Sequence, residues 1–190
     1  FPNTISKRKE TKWGTNENGE QGWINAENGE GEYPIQCLSE LCGPNSYRCN
    51  LKAIPFVATL AQVAIELDQL KEERGGLLIG DEDGNNTFQY LARMSHFRDE
   101  EEYNRRMDTV YLSQFIELQQ MGLFKLEDIP RYELLHNLCY QHSHYLAENT
   151  LQFLVQWCPT SLLHTDEDGD LLLHCAAQVS TIQAFRIVFQ

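Results

Sequence analysis

Basic side chains are in short supply: 15 Lys and Arg stand against 28 Asp and Glu, a formal net charge of −13. A protein that grips nucleic acid through its phosphates needs a basic stripe, so this balance argues against DNA and RNA as direct partners. It also opposes adsorption to anionic membrane. Long hydrophobic runs are missing too. No apolar stretch reaches the roughly 18 residues that a membrane-spanning helix requires, so no membrane partner is expected. The signatures G-x-G-x-x-G, G-x-x-x-x-G-K-[ST] and G-x-S-x-G do not occur, nor do the C-x-x-C or H-x-x-x-H pairs that usually open a zinc site. The expectation is a non-enzyme with no catalytic residue, no metal and no cofactor.

Cysteine is present but unpatterned. Cys37, Cys42, Cys49, Cys139, Cys158 and Cys175 fall at irregular spacings. A chain this long can build a sizeable core without disulfide staples. Cys158 and Cys175 sit in apolar, helix-like surroundings, where free cysteine acts as a small hydrophobe. These features point to a reducing, intracellular compartment, the cytoplasm ahead of the nucleus. The chain opens on Phe1 and breaks off in the apolar run Phe185-Arg186-Ile187-Val188-Phe189-Gln190, so a fragment of something longer is expected.

Residues 1–22 are polar, broken by Asn and Gly, and carry the one basic cluster, Lys7-Arg8-Lys9 with Lys12. They read as a disordered lead-in. From Trp23 onward, turn signals alternate with helical periodicity. Val57, Leu60, Ala61, Ala64, Leu67 and Leu70 predict a helix over 53–74, closed by Lys71-Glu72-Glu73-Arg74 and broken by Gly75-Gly76. Residues 93–108 are strongly charged and read as a solvated excursion or an extended helix with its charges outward. Asp108 or Thr109 is placed to cap the next helix, whose apolar face is Tyr111, Leu112, Phe115 and Leu118. Residues 132–139 read as a short helix. Leu151, Leu154, Val155 and Cys158 form the stripe of another, which Pro159 ends.

A spacing recurs along this pattern. Leu162 precedes Gly169 by seven residues, and Leu77 precedes Gly84 by seven. In both copies Asp stands three and one residues before the Gly: Asp166 and Asp168, Asp81 and Asp83. Five residues after the Gly comes His174 or Gln89, and seven after it Ala176 or Leu91. Counting from Gly31 places Pro34, Ile35, Gln36 and Leu38 at the matching offsets. Counting from Arg131 places Leu134, Leu135, His136 and Leu138 there. Four copies thus start at 31, 84, 131 and 169, at intervals of 53, 47 and 38 residues.

The clearest copy, Leu172-Leu173-His174-Cys175-Ala176, resembles the ankyrin hallmark Thr-Pro-Leu-His-x-Ala after a Gly. Weaker versions stand at Tyr33-Pro34-Ile35-Gln36, at Thr87-Phe88-Gln89 and at Leu134-Leu135-His136. The intervals exceed the usual ankyrin period of about 33 residues. The resemblance implies an all-α fold: an ankyrin-like solenoid of stacked helix-turn-helix repeats over 23–190, with lengthened helices or inserts at 43–52 and 93–108. Turns are expected near 28–31, 81–84, 128–131 and 166–169. Gly31, Pro34, Gln36, Gly84, Gln89, His136, Gly169, His174 and Ala176 would set the repeat register, the histidines bonding neighbouring backbone. The function implied is a non-catalytic protein-binding scaffold acting through turn tips and short-helix face, on an unknown protein partner with a basic surface.

Three local patterns invite chemistry. Asp166-x-Asp168-Gly169-Asp170 looks like a cation loop, but the calcium-binding EF-hand wants Gly sixth and Glu twelfth; here Gly is fourth and Ala177 twelfth. Cys175 adjoins His174, yet neighbours on a helix point about 100° apart, which is poor for a catalytic dyad. His136, Cys139, His142 and His144 are the densest ligand-type cluster. They carry the alternative reading of a metal-binding or thiol enzyme. A regulatory arm of a larger enzyme is the third possibility.

Overall fold

The computed structural model describes residues 11–15, 21–25, 51–81, 83–93, 101–139, 146–179 and 182–189. The chain is mostly helical. Strands β1 (Thr11–Thr15) and β2 (Gln21–Asn25) form an antiparallel pair that sets Trp13 opposite Trp23. This pair falls within and beside the expected lead-in over 1–22, most of which lies outside the described residues; the rest of the described chain is helical, in keeping with the all-α expectation. Thr, Trp and Ile favour a pleated ladder, and these few residues outweigh the polar composition of the stretch.

Helix α1 spans Phe56–Glu66, α2 Thr87–Ala92, α3 Glu101–Gln120, α4 Asp128–Arg131, α5 Leu134–Cys139 and α6 Glu148–Trp157. A 3₁₀ turn, Pro159–Leu163, leads to α7 (Leu172–Val179) and α8 (Ile182–Val188). The short helices adjoin in the order α2, α5, α7. The other helices adjoin in the order α1, α3, α6, α8, and the two rows touch at α5–α6 and α7–α8. Apolar faces from both rows share one core. Phe124 is its hub, with ring centroids 4.9 Å from Phe88, 4.9 Å from Phe115 and 5.0 Å from Trp157. Tilted and edge-on rings at these separations add favourable quadrupole contacts to the area they bury. No described helix is long and apolar enough to cross a membrane.

The helix expected over 53–74 stops at Glu66. Asp68, Leu70 and Arg74 take positive φ (62°, 50° and 52°), followed by Gly75 and Gly76 at 73° and 96°. This unwound segment folds back on α1 so closely that a Cβ at Gly75 would stand 2.2 Å from the Ala61 carbonyl oxygen. Only glycine fits there. The charged residues 71–74 do not end a helix; Arg74 instead reaches Asp128, as described below.

Residues 101–108 begin α3, in keeping with the extended-helix alternative for 93–108, whose residues 94–100 lie outside the described ones, and Asn104, Met107 and Asp108 on it are buried. Its charges pair outward, Arg105 with Glu101 at 2.7 Å and Arg106 with Glu102 at 3.2 Å. Asp108 does not cap its own helix. Its carboxylate accepts from Asn149 N (2.9 Å), Asn149 Nδ2 (2.8 Å), Thr150 N (3.0 Å) and Thr150 Oγ1 (2.7 Å), at the N-terminus of α6. The local cap residue, Ala147, has no side-chain acceptor to offer. Asp108 satisfies two otherwise orphaned backbone donors from 41 and 42 residues away, where the helix dipole also favours negative charge. Asp108→Ala should lower unfolding free energy by about 3 kcal/mol or more, because it strands buried donors. Asp108→Asn should lose roughly half as much, since one oxygen still accepts. Urea denaturation of both variants beside the parent checks the order.

Candidate functional site

Two turns, 85 residues apart, are built alike. In the later one, Asp166 Oδ1 accepts from Asp168 N (3.1 Å) and Asp170 N (2.8 Å), and Gly169 N donates to the Asp166 carbonyl (3.1 Å). In the earlier one, Asp81 Oδ1 accepts from Asp83 N (2.9 Å) and Asn85 N (2.7 Å), and Gly84 N donates to the Asp81 carbonyl (3.0 Å). Gly169 and Gly84 take φ of 84° and 81°, the left-handed region where glycine carries no steric penalty. Asp is suited to the first position because its short carboxylate folds back onto the amides two and four residues on.

The side chain five residues after each glycine closes the motif. Gln89 Oε1 accepts from Asn86 N (3.0 Å) while Asn86 Oδ1 accepts from Gln89 N (3.1 Å), a reciprocal capping box. His174 Nδ1 accepts from Leu171 N (3.2 Å) at the matching place. The same nitrogen lies 3.2 Å from Asp170 Oδ1. Ala176 is buried, and His174 is exposed while Cys175 is buried, so no His174–Cys175 dyad forms. Gly31, Pro34 and Gln36 lie outside the described residues.

The third turn is made differently. Arg131 holds no glycine-like conformation; it ends helix α4, and the positive φ falls on Glu133 (50°). Asp128 is its centre: Oδ2 accepts from Lys125 N (2.7 Å) and is ion-paired with Arg74, whose guanidinium also donates to the Leu123 carbonyl (3.1 Å). The short helix still begins three residues after the reference position in every described copy, at Thr87, Leu134 and Leu172.

Two adjacent residues of α5 join neighbouring units. His136 Nε2 donates to the Asp170 carbonyl at 3.1 Å, reaching forward into the later turn. Asn137 Oδ1 accepts from Arg93 Nε at 2.8 Å, and Arg93 also donates to Asn85 Oδ1 at 2.6 Å, reaching back into the earlier one. Arg93 and Asn137 were not singled out from sequence, and no local pattern marks them. Of the cluster His136, Cys139, His142 and His144, the last two lie outside the described residues. His136 has different companions: it gathers with Asp166 and Cys175.

The exposed tips of the two like turns are acidic: Asp83 and Gly84 on one, Glu167, Asp168 and Gly169 on the other. No family model, no curated protein and no solved structure matches the chain.

Acidity concentrates where the later turn meets α5. The Glu133 carboxyl is pushed above its ordinary value, first by burial, then by Glu167, with Asp166 adding to the push and His136 and Arg93 opposing it. A raised folded-state value means that the stability tied to this proton is complete below the usual Glu range and lost as pH climbs past the raised value. At neutral pH the carboxylate is therefore a liability. Glu133→Gln should gain a few tenths of a kcal/mol at pH 7, the group being half-exposed and screened, with the gain fading as pH falls through the raised value and gone below about pH 4. Glu133→Asn should gain more, since Asn also tolerates positive φ. Thermal melts across pH read both effects.

Cys139 behaves oppositely to a reactive thiol. Burial pushes it up to about 12, with Cys175 adding a smaller push in the same direction. Its stabilising protonated form is complete below the unfolded thiol value and is lost as pH rises from there toward 12. Between those limits the parent should lose up to about 1.4 kcal/mol more per pH unit than Cys139→Ala, as measured by denaturation at stepped alkaline pH.

Proposed function

We propose that this chain is an ankyrin-like, non-catalytic scaffold that binds a protein partner through its acidic turn tips and the row of short helices. The observation that carries this reading is the near-identical hydrogen bonding of the turns at 81–89 and 166–174, each feeding a short helix in one row. Stacked helix pairs bury faces that no single pair could, which leaves turn tips free to vary and to bind. The His136 bond to the next turn's carbonyl supports the same reading, because it ties one unit to its neighbour. The departures are accommodated: α3 is lengthened to 20 residues, and the third turn rests on Asp128 instead of glycine.

A partner with a basic surface fits the net charge of −13 and the acidic tips. Complementary charge speeds encounter and makes binding salt-sensitive. Proximity labelling in cells should recover a reproducible set of partners with the parent protein. The double variant Asp83→Lys/Asp168→Lys should lose most of that set while keeping its melting temperature within a few degrees, as expected for exposed substitutions. An unchanged set would remove the turn tips as the binding surface. Hydrolase or transferase activity in the purified chain would overturn the non-catalytic reading.

A further inference from the structure

We propose that His136, Asp166 and Cys175 form a binding site for a thiophilic divalent cation of the zinc class, clamping α5 to the turn and helix of the following unit. One ligand atom from each residue lies within 4.8 Å of the other two. His136 and Cys175 are buried and Asp166 is half-buried. A tetrahedral zinc site with bonds of about 2.0–2.3 Å sets its ligands roughly 3.5 Å apart. The three donors therefore need to close in by at most about 1.3 Å from their 4.8 Å limit.

Two of the ligands are already oriented. Asp166 Oδ1 is occupied by the amides of Asp168 and Asp170, which turns Oδ2 toward Cys175 Sγ at 3.9 Å. The His136 ring is aimed by Nε2–H donating to the Asp170 carbonyl at 3.1 Å. Hydrogen bonds to carbonyls and amides orient metal ligands in this way. The donor set also chooses its ion. One nitrogen, one oxygen and one sulfur do not suit magnesium or calcium, which take oxygen ligands. On binding, the Cys175 S–H bond breaks, its proton leaves to solvent, and the sulfur bonds the cation. Thiolate and carboxylate then balance two positive charges, and neutral histidine donates a lone pair.

The turn alone does not explain the thiol. Tyr90 stands nine residues after Asp81, as Cys175 stands nine after Asp166. Its hydroxyl bonds the Asp81 carboxylate directly. A thiol 3.9 Å from the carboxylate is a poor substitute as donor. The earlier turn shows that the architecture accepts a residue that does this better. Cys175 differs from Tyr90 in what a cation can use, and among the described residues only the later turn has a histidine brought to it.

Cobalt(II) titration of the metal-free, reduced chain tests the site. The parent should bind one equivalent with a thiolate-to-cobalt charge-transfer band, and zinc should displace the cobalt and raise the melting temperature. His136→Gln is the decisive variant: Gln89 occupies that place in the earlier copy, so the substitution suits the fold while removing the imidazole. It should weaken cobalt binding at least about tenfold, and Cys175→Ser should abolish the band. Absence of the band in the parent overturns the proposal. So does a band that survives Cys175→Ser, or cobalt affinity unchanged in a His136→Gln protein with parental circular dichroism.

Discussion

Asp108 sets the relation between α3 and α6, and much of the fold follows from it. A carboxylate taken out of water is tolerated only if its oxygens are fully engaged. Here the four donors all come from the first turn of α6. That requirement fixes where α6 begins, how far along α3 it docks, and which faces meet. Tyr111, Phe115 and Leu118 follow Asp108 down α3 into the core, and Leu151 and Leu154 follow Thr150 down α6. The polar contact supplies register to an apolar interface that would otherwise slide, since hydrophobic burial is non-directional.

The same division of labour repeats between units. Apolar side chains supply the bulk of the cohesion, while a few directional bonds choose the alignment. Arg74 to Asp128 fastens the segment after α1 to the turn before α5, Arg93 to Asn137 fastens the end of α2 to α5, and His136 to Asp170 fastens α5 to the turn before α7. The Arg74 pairing is the costliest of these. Asp128 Oδ1 is buried with no hydrogen-bond partner, while Oδ2 carries the load. Removing either member would leave the other desolvated and unpaired, so this link resists change more than a surface ion pair does.

What was legible in the sequence is what depends on neighbours. The stripe of Leu151, Leu154 and Val155 and the short helix over 134–139 follow from periodicity. The turns at Gly84 and Gly169 follow from a glycine with an aspartate three residues earlier, chemistry contained within five residues. What escaped depends on distance along the chain. Leu67 and Leu70 continue the apolar pattern of α1, yet the helix ends at Glu66 because Gly75 must lie against Ala61. Asp108 looks like a helix cap in its local context and is one, for a helix some 40 residues later. Of the cluster at 136–144, His136 is placed beside Asp166 and Cys175, which lie on the later turn and the helix that follows it.

This contrast bears on the unequal intervals between the turns at Gly84, Arg131 and Gly169, 47 and 38 residues. A turn that satisfies its own amides through Asp81 or Asp166 needs nothing from the rest of the unit, so the intervening chain is free to lengthen, as α3 has done. The third turn does have an aspartate in the matching place, Asp128, but its carboxylate does not close on the amides two and four residues on; Oδ2 turns to Lys125 N and Arg74. The turn relies instead on a guanidinium 54 residues away, and that dependence ties its position to the segment after α1. Changes in length are therefore expected where the turn is locally closed, whereas a change between Arg74 and Asp128, where α3 lies, must keep those two side chains within reach of each other.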